Sequence, residues 1–205
     1  MNIESGLTKT FPLLSLCFGD FKIKGGTFQG APQLKEIHGC LTINAAKIRN
    51  ISALKTAREG VSVKNSFVRT LGSLEKVEGP VEFERSQILN LFKLISVPDS
   101  FSVAICRMPH NLRLKEVGGE INVKGSLDAP NLRKAGKIIT TYGILTISPA
   151  LDAEVIRFGY KDYSVSEYLA FRRKRNTIKK TDDTPARGAF AQALVDLVRR
   201  LLGKE

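Results

Sequence analysis

Tryptophan is absent from this chain, and 205 residues hold only two histidines and three cysteines. Each scarcity excludes something. Cys17, Cys40 and Cys106 are odd in number and have no pairing pattern, which argues against a disulfide framework and fits a reducing compartment. His38 and His110 are too few for zinc, whose structural sites take four ligands, and no metal or other cofactor is expected. No stretch approaches the roughly 20 apolar residues of a spanning helix. The apolar run from Phe11 to Phe18 contains Pro12 and lacks a basic leader, so it does not read as a signal peptide. These absences predict a soluble, cytoplasmic protein with no membrane association. No phosphate-loop motif is present, and the neighbouring Glu82 and Glu84 on one flat strand are weak ground for acid–base work. The chain is not expected to be an enzyme.

What the chain has in excess is positive charge. Lys and Arg total 32 against 20 acids, a formal net charge of +12. That balance favours acidic partners: nucleic acid, an anionic membrane or an acidic protein surface.

It also has a repeat. Leu14, Leu34, Leu54, Leu74, Leu94 and Leu114 stand twenty residues apart. Three places after each comes Cys17, Ile37, Ala57, Val77, Val97 or Val117. Seven after comes Phe21, Leu41, Val61, Val81, Phe101 or Ile121, and nine after comes Ile23, Ile43, Val63, Phe83, Val103 or Val123. Fourteen after comes Phe28, Ile48, Val68, Ile88 or Met108, and five after, glycine recurs as Gly19, Gly39, Gly79 and Gly119. The +7 and +9 residues are β-branched or apolar and alternate with polar neighbours, the signature of a strand with one buried face. One short strand per twenty residues has no partner inside its own repeat. It must pair in parallel with its equivalent in the next, each coil rising by about 4.8 Å. The glycine ahead of the strand predicts a tight bend with unusual dihedrals. The fold predicted is mainly β: a parallel, single-strand-per-coil solenoid of about seven coils, with C-terminal helices.

The segments LKEIHGCLTI, LEKVEGPVEF and LKEVGGEINV resemble leucine-rich repeats, most closely the receptor L-domain type, over residues 11–141. They also resemble the twenty-residue repeats of bacterial and phage-encoded proteins. The resemblance implies a solenoid used for binding, without naming a partner.

Residues 1–10 read as an N-terminal cap or fraying segment. The repeat degenerates after Leu132, with a strand over 137–141 and a further strand over 144–147 as an irregular last rung or hairpin. Composition changes after Pro149, so a solenoid over 1–148 and a helical cap or tail over 149–205 are expected. Ser164-x-x-Glu167 has capping-box form and predicts a helix from about Val165 to Arg175. The basic segment 171–180 follows, then a second helix over 185–202 with Phe190, Leu194, Leu197 and Leu201 on one stripe. That helix reads either as a cap on the solenoid or as a docking and self-association element.

Three surfaces are candidates for function. The outward strand rows present Lys22, Lys24, Asn44, Lys64, Glu82, Glu84, Asn122 and Lys124, a polar face of mixed charge that reads as a protein-binding sheet or as a solvated sheet with cross-strand pairs. The return turns carry Lys47, Arg49, Arg69 and Arg107, read as a solvated convex face. In the tail, Arg172, Arg173, Lys174, Arg175, Lys179 and Lys180 are suited to phosphate contacts with DNA or RNA, with Tyr160, Tyr163 and Tyr168 near enough to stack on bases. The function expected is a non-enzymatic macromolecular binding module. Its first form is protein–protein interaction, as an inhibitor or modulator of a host or rival factor; the alternative is nucleic-acid binding through the tail.

Overall fold

The computed structural model describes residues 1–4, 9–71, 73–89, 91, 93–107, 112–142 and 145–180, with side chains left out at 4, 9, 142 and 175–180. The expected helix over 185–202, Met108 and His110 lie outside the described residues. The chain divides into two compact units, Met1–Val165 and Ser166–Glu205.

The first unit is a parallel β-solenoid of about seven turns at twenty-residue spacing. The pairing register reproduces the repeat directly: Val61 faces Leu41 on one side and Val81 on the other, and Val63 faces Ile43 and Phe83. The main strands are Phe21–Lys24, Cys40–Asn44, Gly60–Lys64, Val81–Glu84 and Phe101–Ala104, which form the front sheet. The coil holds more than this single strand. A second ladder of two-residue strands runs along the side, through Leu16–Cys17, Glu36–Ile37, Thr56–Ala57, Lys76–Val77 and Ser96–Val97. A third forms the back sheet, through Lys9–Thr10, Thr27–Gly30, Lys47–Ile48, Phe67–Val68 and Gln87–Ile88. In the later coils the front and side strands fuse into the continuous strands Glu116–Lys124 and Lys134–Tyr142.

The interior is built from the repeated rows. Leu34, Leu54, Leu74, Leu94 and Leu114 have no exposed surface, and neither have Leu41, Ile43, Val63, Phe83, Phe101 and Val103. Leu14 departs from its row and is half-buried. The side strand beside it, Leu16–Cys17, ends its ladder, so among the described residues nothing stacks on that edge. A further inward row, Ala31, Ile51, Leu71 and Leu91, sits three places before each leucine and accepts its amide: Leu34 N donates to Ala31 O at 3.1 Å and Leu74 N to Leu71 O at 3.0 Å.

Of the glycines at the front of the coil, Gly60, one place late, has the expected unusual dihedral at φ 134°, whereas Gly39 and Gly79 act differently. Gly79 does not have left-handed dihedrals; a Cβ there would lie 2.2 Å from Glu59 O in the preceding coil. Gly39 is similar, with Asp20 N 2.6 Å from such a Cβ. What the missing side chain permits is close approach of neighbouring coils. The left-handed position lies instead six residues later, where the front strand turns the corner toward the back sheet. Gly25, Ala45, Asn65, Arg85 and Ile105 have φ of 71°, 52°, 50°, 45° and 54°.

In the third, fourth and fifth coils the next residue turns inward and repairs that corner. Ser66 Oγ accepts the Ala46 amide at 3.1 Å and donates to Lys64 O at 2.6 Å. Ser86 Oγ accepts the Ser66 amide at 3.1 Å and donates to Glu84 O at 2.7 Å. Cys106 Sγ continues the series from the Ser86 amide at 3.4 Å. This ladder of small polar side chains satisfies buried amides that would otherwise lack partners.

Both ends depart from the sequence reading. Asn2–Glu4 is an additional front rung rather than a frayed cap, pairing with residues 22–24 in the same twenty-residue register and placing Ile3 in the core. At the other end the step shortens to eighteen: Ile138 faces Ile156, and Leu145 faces Leu127. Leu145–Ile147 is therefore a regular back-side strand of the seventh coil, not a hairpin. The ladder passes the composition change at Pro149 and closes at Lys161–Tyr163, which folds back antiparallel onto Ile156–Phe158. The turn between them opens with Gly159 at φ 62°, the Gly-X form of a two-residue hairpin. Reversal of direction leaves no free parallel register on that edge.

In the second unit one helix, Val165–Lys180, begins directly after Ser164 and carries Glu167 in its first turn, as the capping-box pattern requires. It continues five residues past the expected end, through the whole basic segment.

Candidate binding faces of the coil

The front sheet places the eight predicted protein-binding residues in two outward rows. One holds Lys22, Thr42, Ser62, Glu82, Ser102 and Asn122; the other holds Lys24, Asn44, Lys64, Glu84, Ala104 and Lys124. Every rung is in register, so the face is one continuous strip about 24 Å long by the usual strand spacing. Several of its charges are internally paired. Lys64 Nζ lies 2.9 Å from Glu82 and 3.8 Å from Glu84, and the Glu82 contact raises the lysine's pKa. Lys22 lies 2.7 Å from Asp20, whose carboxyl it holds below its ordinary range. Lys24 and Lys124, toward opposite ends, have no ion pair among the described residues. Asn122 Oδ1 is shielded on this face and has no donor among the described residues.

Asp20, Cys40 and Glu59 meet at the edge of this sheet, one ligand atom from each lying within 4.8 Å of the others. Asp20 is already engaged by Lys22 and by the Cys40 amide at 3.0 Å. Burial first, then the charges of Asp20 and Glu59, push the Cys40 thiol's pKa up, so the outward thiol stays protonated and is a poor nucleophile.

The side face carries more acids, several of them also paired. Arg58 Nη2 donates to Glu36 Oε1 at 2.6 Å, and His38 approaches the same oxygen at 3.2 Å. Lys76 pairs with Glu78 at 2.5 Å. Further along, Pro98 and Gly118 leave a shallow groove of about 290 Å³, rimmed by Lys76, Glu78, Glu116 and Lys134. The sequence held a signal for it: the row three places before the front strand loses its side chain as it runs from Glu78 through Pro98 to Gly118. A Cβ on Gly118 would sit 2.1 Å from Pro98 O, so the dip is set by coil packing.

In the tail, Arg172, Arg173 and Lys174 stand on the helix, with Arg173 and Lys174 exposed. The backbone of Arg175, Lys179 and Lys180 is helical too, while their side chains lie outside the described residues. Of the three tyrosines, Tyr160 is fully exposed in the hairpin turn and Tyr163 is half-buried. Tyr168 is fully buried, which removes it as a stacking surface.

No helix among the described residues is long and apolar enough to cross a membrane. Compared with protein families, characterised proteins and solved structures, the chain matches none of them.

Proposed function

We propose that this chain is a non-enzymatic, cytoplasmic binding module that holds another protein against its front sheet. The observation that carries the reading is the pre-ordered strip from Lys22 to Lys124, where in-register pairing fixes the backbone of every rung before a partner arrives. Ordering costs that usually oppose association are therefore low on this side. Size constrains the partner. A strip about 24 Å long and about 14 Å wide by strand geometry offers roughly 340 Å². A standard interface covers about 800 Å² per side, so the partner must also reach the adjacent side face and its groove. The coil's likeness to L-domain leucine-rich repeats, and to the twenty-residue repeats of bacterial and phage proteins, supports a binding role. Within it, inhibition or modulation of a host or rival factor is the specific form we favour. The test is affinity capture followed by mass spectrometry, comparing the native chain with K24E/E84K/K124E. A partner retained by the native chain and lost by the variant, with unchanged circular dichroism, supports the reading. Equal retention by both refutes the front sheet as the site.

A second reading rests on the helix. Its basic run is presented on a regular helix with Arg173 and Lys174 exposed, an arrangement suited to phosphate contacts with DNA or RNA. Neutralising Arg172, Arg173, Lys174, Arg175, Lys179 and Lys180 should then remove binding that weakens with salt.

A further inference from the structure

The back sheet uses different offsets of the coil from the front sheet, and over coils one to five its charge is of one sign. Between the front-strand corner and the next leucine, five coils contribute residues 25–33, 45–53, 65–73, 85–93 and 105–113. None of the chain's 20 acids falls in these segments, which carry Lys47, Arg49, Arg69, Arg85, Lys93, Arg107 and Arg113. The fold turns four of those cations onto one face. Thr27, Lys47, Phe67, Gln87 and Arg107 stack rung over rung in one outward row. Gln29, Arg49, Arg69 and Leu89 form the parallel row two residues on. Lys47, Arg49, Arg69 and Arg107 are all exposed, and no ion pair engages them among the described residues. This contrasts with the front and side faces, where Lys22, Lys64, Arg58 and Lys76 each have a carboxylate. Lys47 lies over the Phe67 ring at 5.9 Å.

We infer that this face binds the phosphodiester backbone of single-stranded nucleic acid. Charge complementarity selects a polyanion, since in coils one to five the face offers cations, amide donors at Gln29 and Gln87, and no carboxylate to repel one; its first acid, Asp128, stands in the sixth coil. Its dimensions select one strand. The two rows are about 7 Å apart, and Lys47 to Arg107 spans three rungs, about 14 Å. A strip that narrow follows a single backbone, whereas the major groove of a duplex separates its two backbones by about 12 Å. Phe67, half-buried between the cations, gives a base one aromatic surface to lie against.

Four cations contacting phosphates give a single-strand salt slope of about −0.7 each, or about −2.8 in total. Affinity from this face should fall about 50-fold between 50 and 200 mM salt, and each neutralised cation should weaken binding about five-fold at 0.1 M. The test is fluorescence anisotropy with a labelled twelve-nucleotide oligo(dT) over that salt range, using the full chain. It compares the native protein, K47Q/R49Q/R69Q/R107Q, the charge-conserving R49K/R69K/R107K, and the tail variant with its six basic residues changed to Gln. The native and charge-conserving proteins should bind alike. The back-face variant should lose about 2.8 from the slope magnitude and about 600-fold in affinity at 0.1 M, while the tail variant keeps that component. An unchanged slope in the back-face variant overturns the inference, as does no binding by the native chain at 50 mM salt. Back-face-dependent sedimentation with phosphatidylserine vesicles, without dependence for oligo(dT), assigns the surface to a membrane and overturns it too. Because these side chains lie off the front sheet, failure here leaves the protein-binding reading standing; an unchanged slope in the back-face variant leaves the helix reading standing as well, whereas no binding by the native chain at 50 mM salt removes the helix reading too.

Discussion

Glycine should stabilise this protein at one alanine and destabilise it at another, and the two outcomes follow from backbone geometry alone. Ala45 occupies the corner after the front strand at φ 52°, and its side chain is exposed. Ala104 ends the front strand Phe101–Ala104 in ordinary extended conformation, with its side chain on the outward face. Neither methyl is part of the core, so the transfer term is small at both. At position 45 an L-residue in the left-handed region costs about 1–2 kcal/mol. Glycine removes that strain but gives the unfolded chain about 0.4–1 kcal/mol more entropy to lose. The net expectation for Ala45→Gly is stabilisation by about 0.5–1 kcal/mol. At position 104 there is no strain to release, and Ala104→Gly should cost about 0.5–1 kcal/mol. For a unit of 165 residues these become shifts in Tm of about 1–4 °C in opposite directions. Thermal unfolding followed by circular dichroism, checked by urea midpoints, measures both. If Ala45→Gly lowers Tm as Ala104→Gly does, the corner does not carry the strain assigned to it. Ile105→Asn extends the test. Ile105 is β-branched, 68% exposed and held at φ 54°, while Asn65 already fills the same corner two coils earlier at φ 50°.

Three other outcomes test the packing and the cap. Ser86→Ala leaves the buried Ser66 amide without its acceptor and should cost about 1–3 kcal/mol in urea unfolding, whereas Cys106→Ser keeps the ladder and should be tolerated. Gly79→Ala places a Cβ 2.2 Å from Glu59 O, so two coils must separate; a loss of about 1–3 kcal/mol or more is expected, and no loss would show that the coils are not in close contact there. Asp162 is bound by Arg157 at 2.7 and 2.9 Å, which depresses its pKa in the folded state. Its contribution to the terminal hairpin is present above the ordinary aspartate pKa and is lost as pH falls through the depressed value. Asp162→Asn should therefore lower stability at neutral pH and have no effect at a pH below that depressed value, and an NMR titration of the carboxyl should show the downward shift.

The fold was legible because its core is periodic. Six leucines in register, with apolar residues at fixed offsets, determine which side of every rung faces inward, and the observed pairs follow that register from Asn2 to Lys124. What periodicity of apolar residues does not report is the polar and conformational side of the same repeat. The left-handed corner holds Gly25, Ala45, Asn65, Arg85 and Ile105, whose chemistry has nothing in common. Only the glycine and the asparagine hint at positive φ. The inward ladder after it, Ser66, Ser86 and Cys106, reads as polar and hence as surface until its amide partners are seen. The glycine ahead of the front strand was visible, but two physical causes produce the same residue, and only the distance to the preceding coil separates them. The end of the solenoid was misplaced because its last coils step by eighteen, which removes the leucine from its expected position while preserving the pairing.

A solenoid sorts side chains by offset rather than by neighbourhood in sequence, and this bears directly on how the net charge of +12 is to be read. Residues two apart on one strand share a face; residues six apart can stand on different sheets. The acids of coils one to five fall on the front and side offsets, together with lysines and arginines that they neutralise at 2.5–3.8 Å. Positive charge on those faces is thus largely local and short-ranged. On the back offsets of those five coils no acid is available, and stacking at about 4.8 Å brings cations of successive coils into one unneutralised strip. Unpaired charges of one sign on a surface sum into a field that attracts counter-charged partners, whereas paired ones cancel within a few ångströms. Within the coils the unneutralised charge is therefore concentrated on one face by the same repeat that builds the core, while residues 166–205, with ten cations against five acids, carry the rest of the excess.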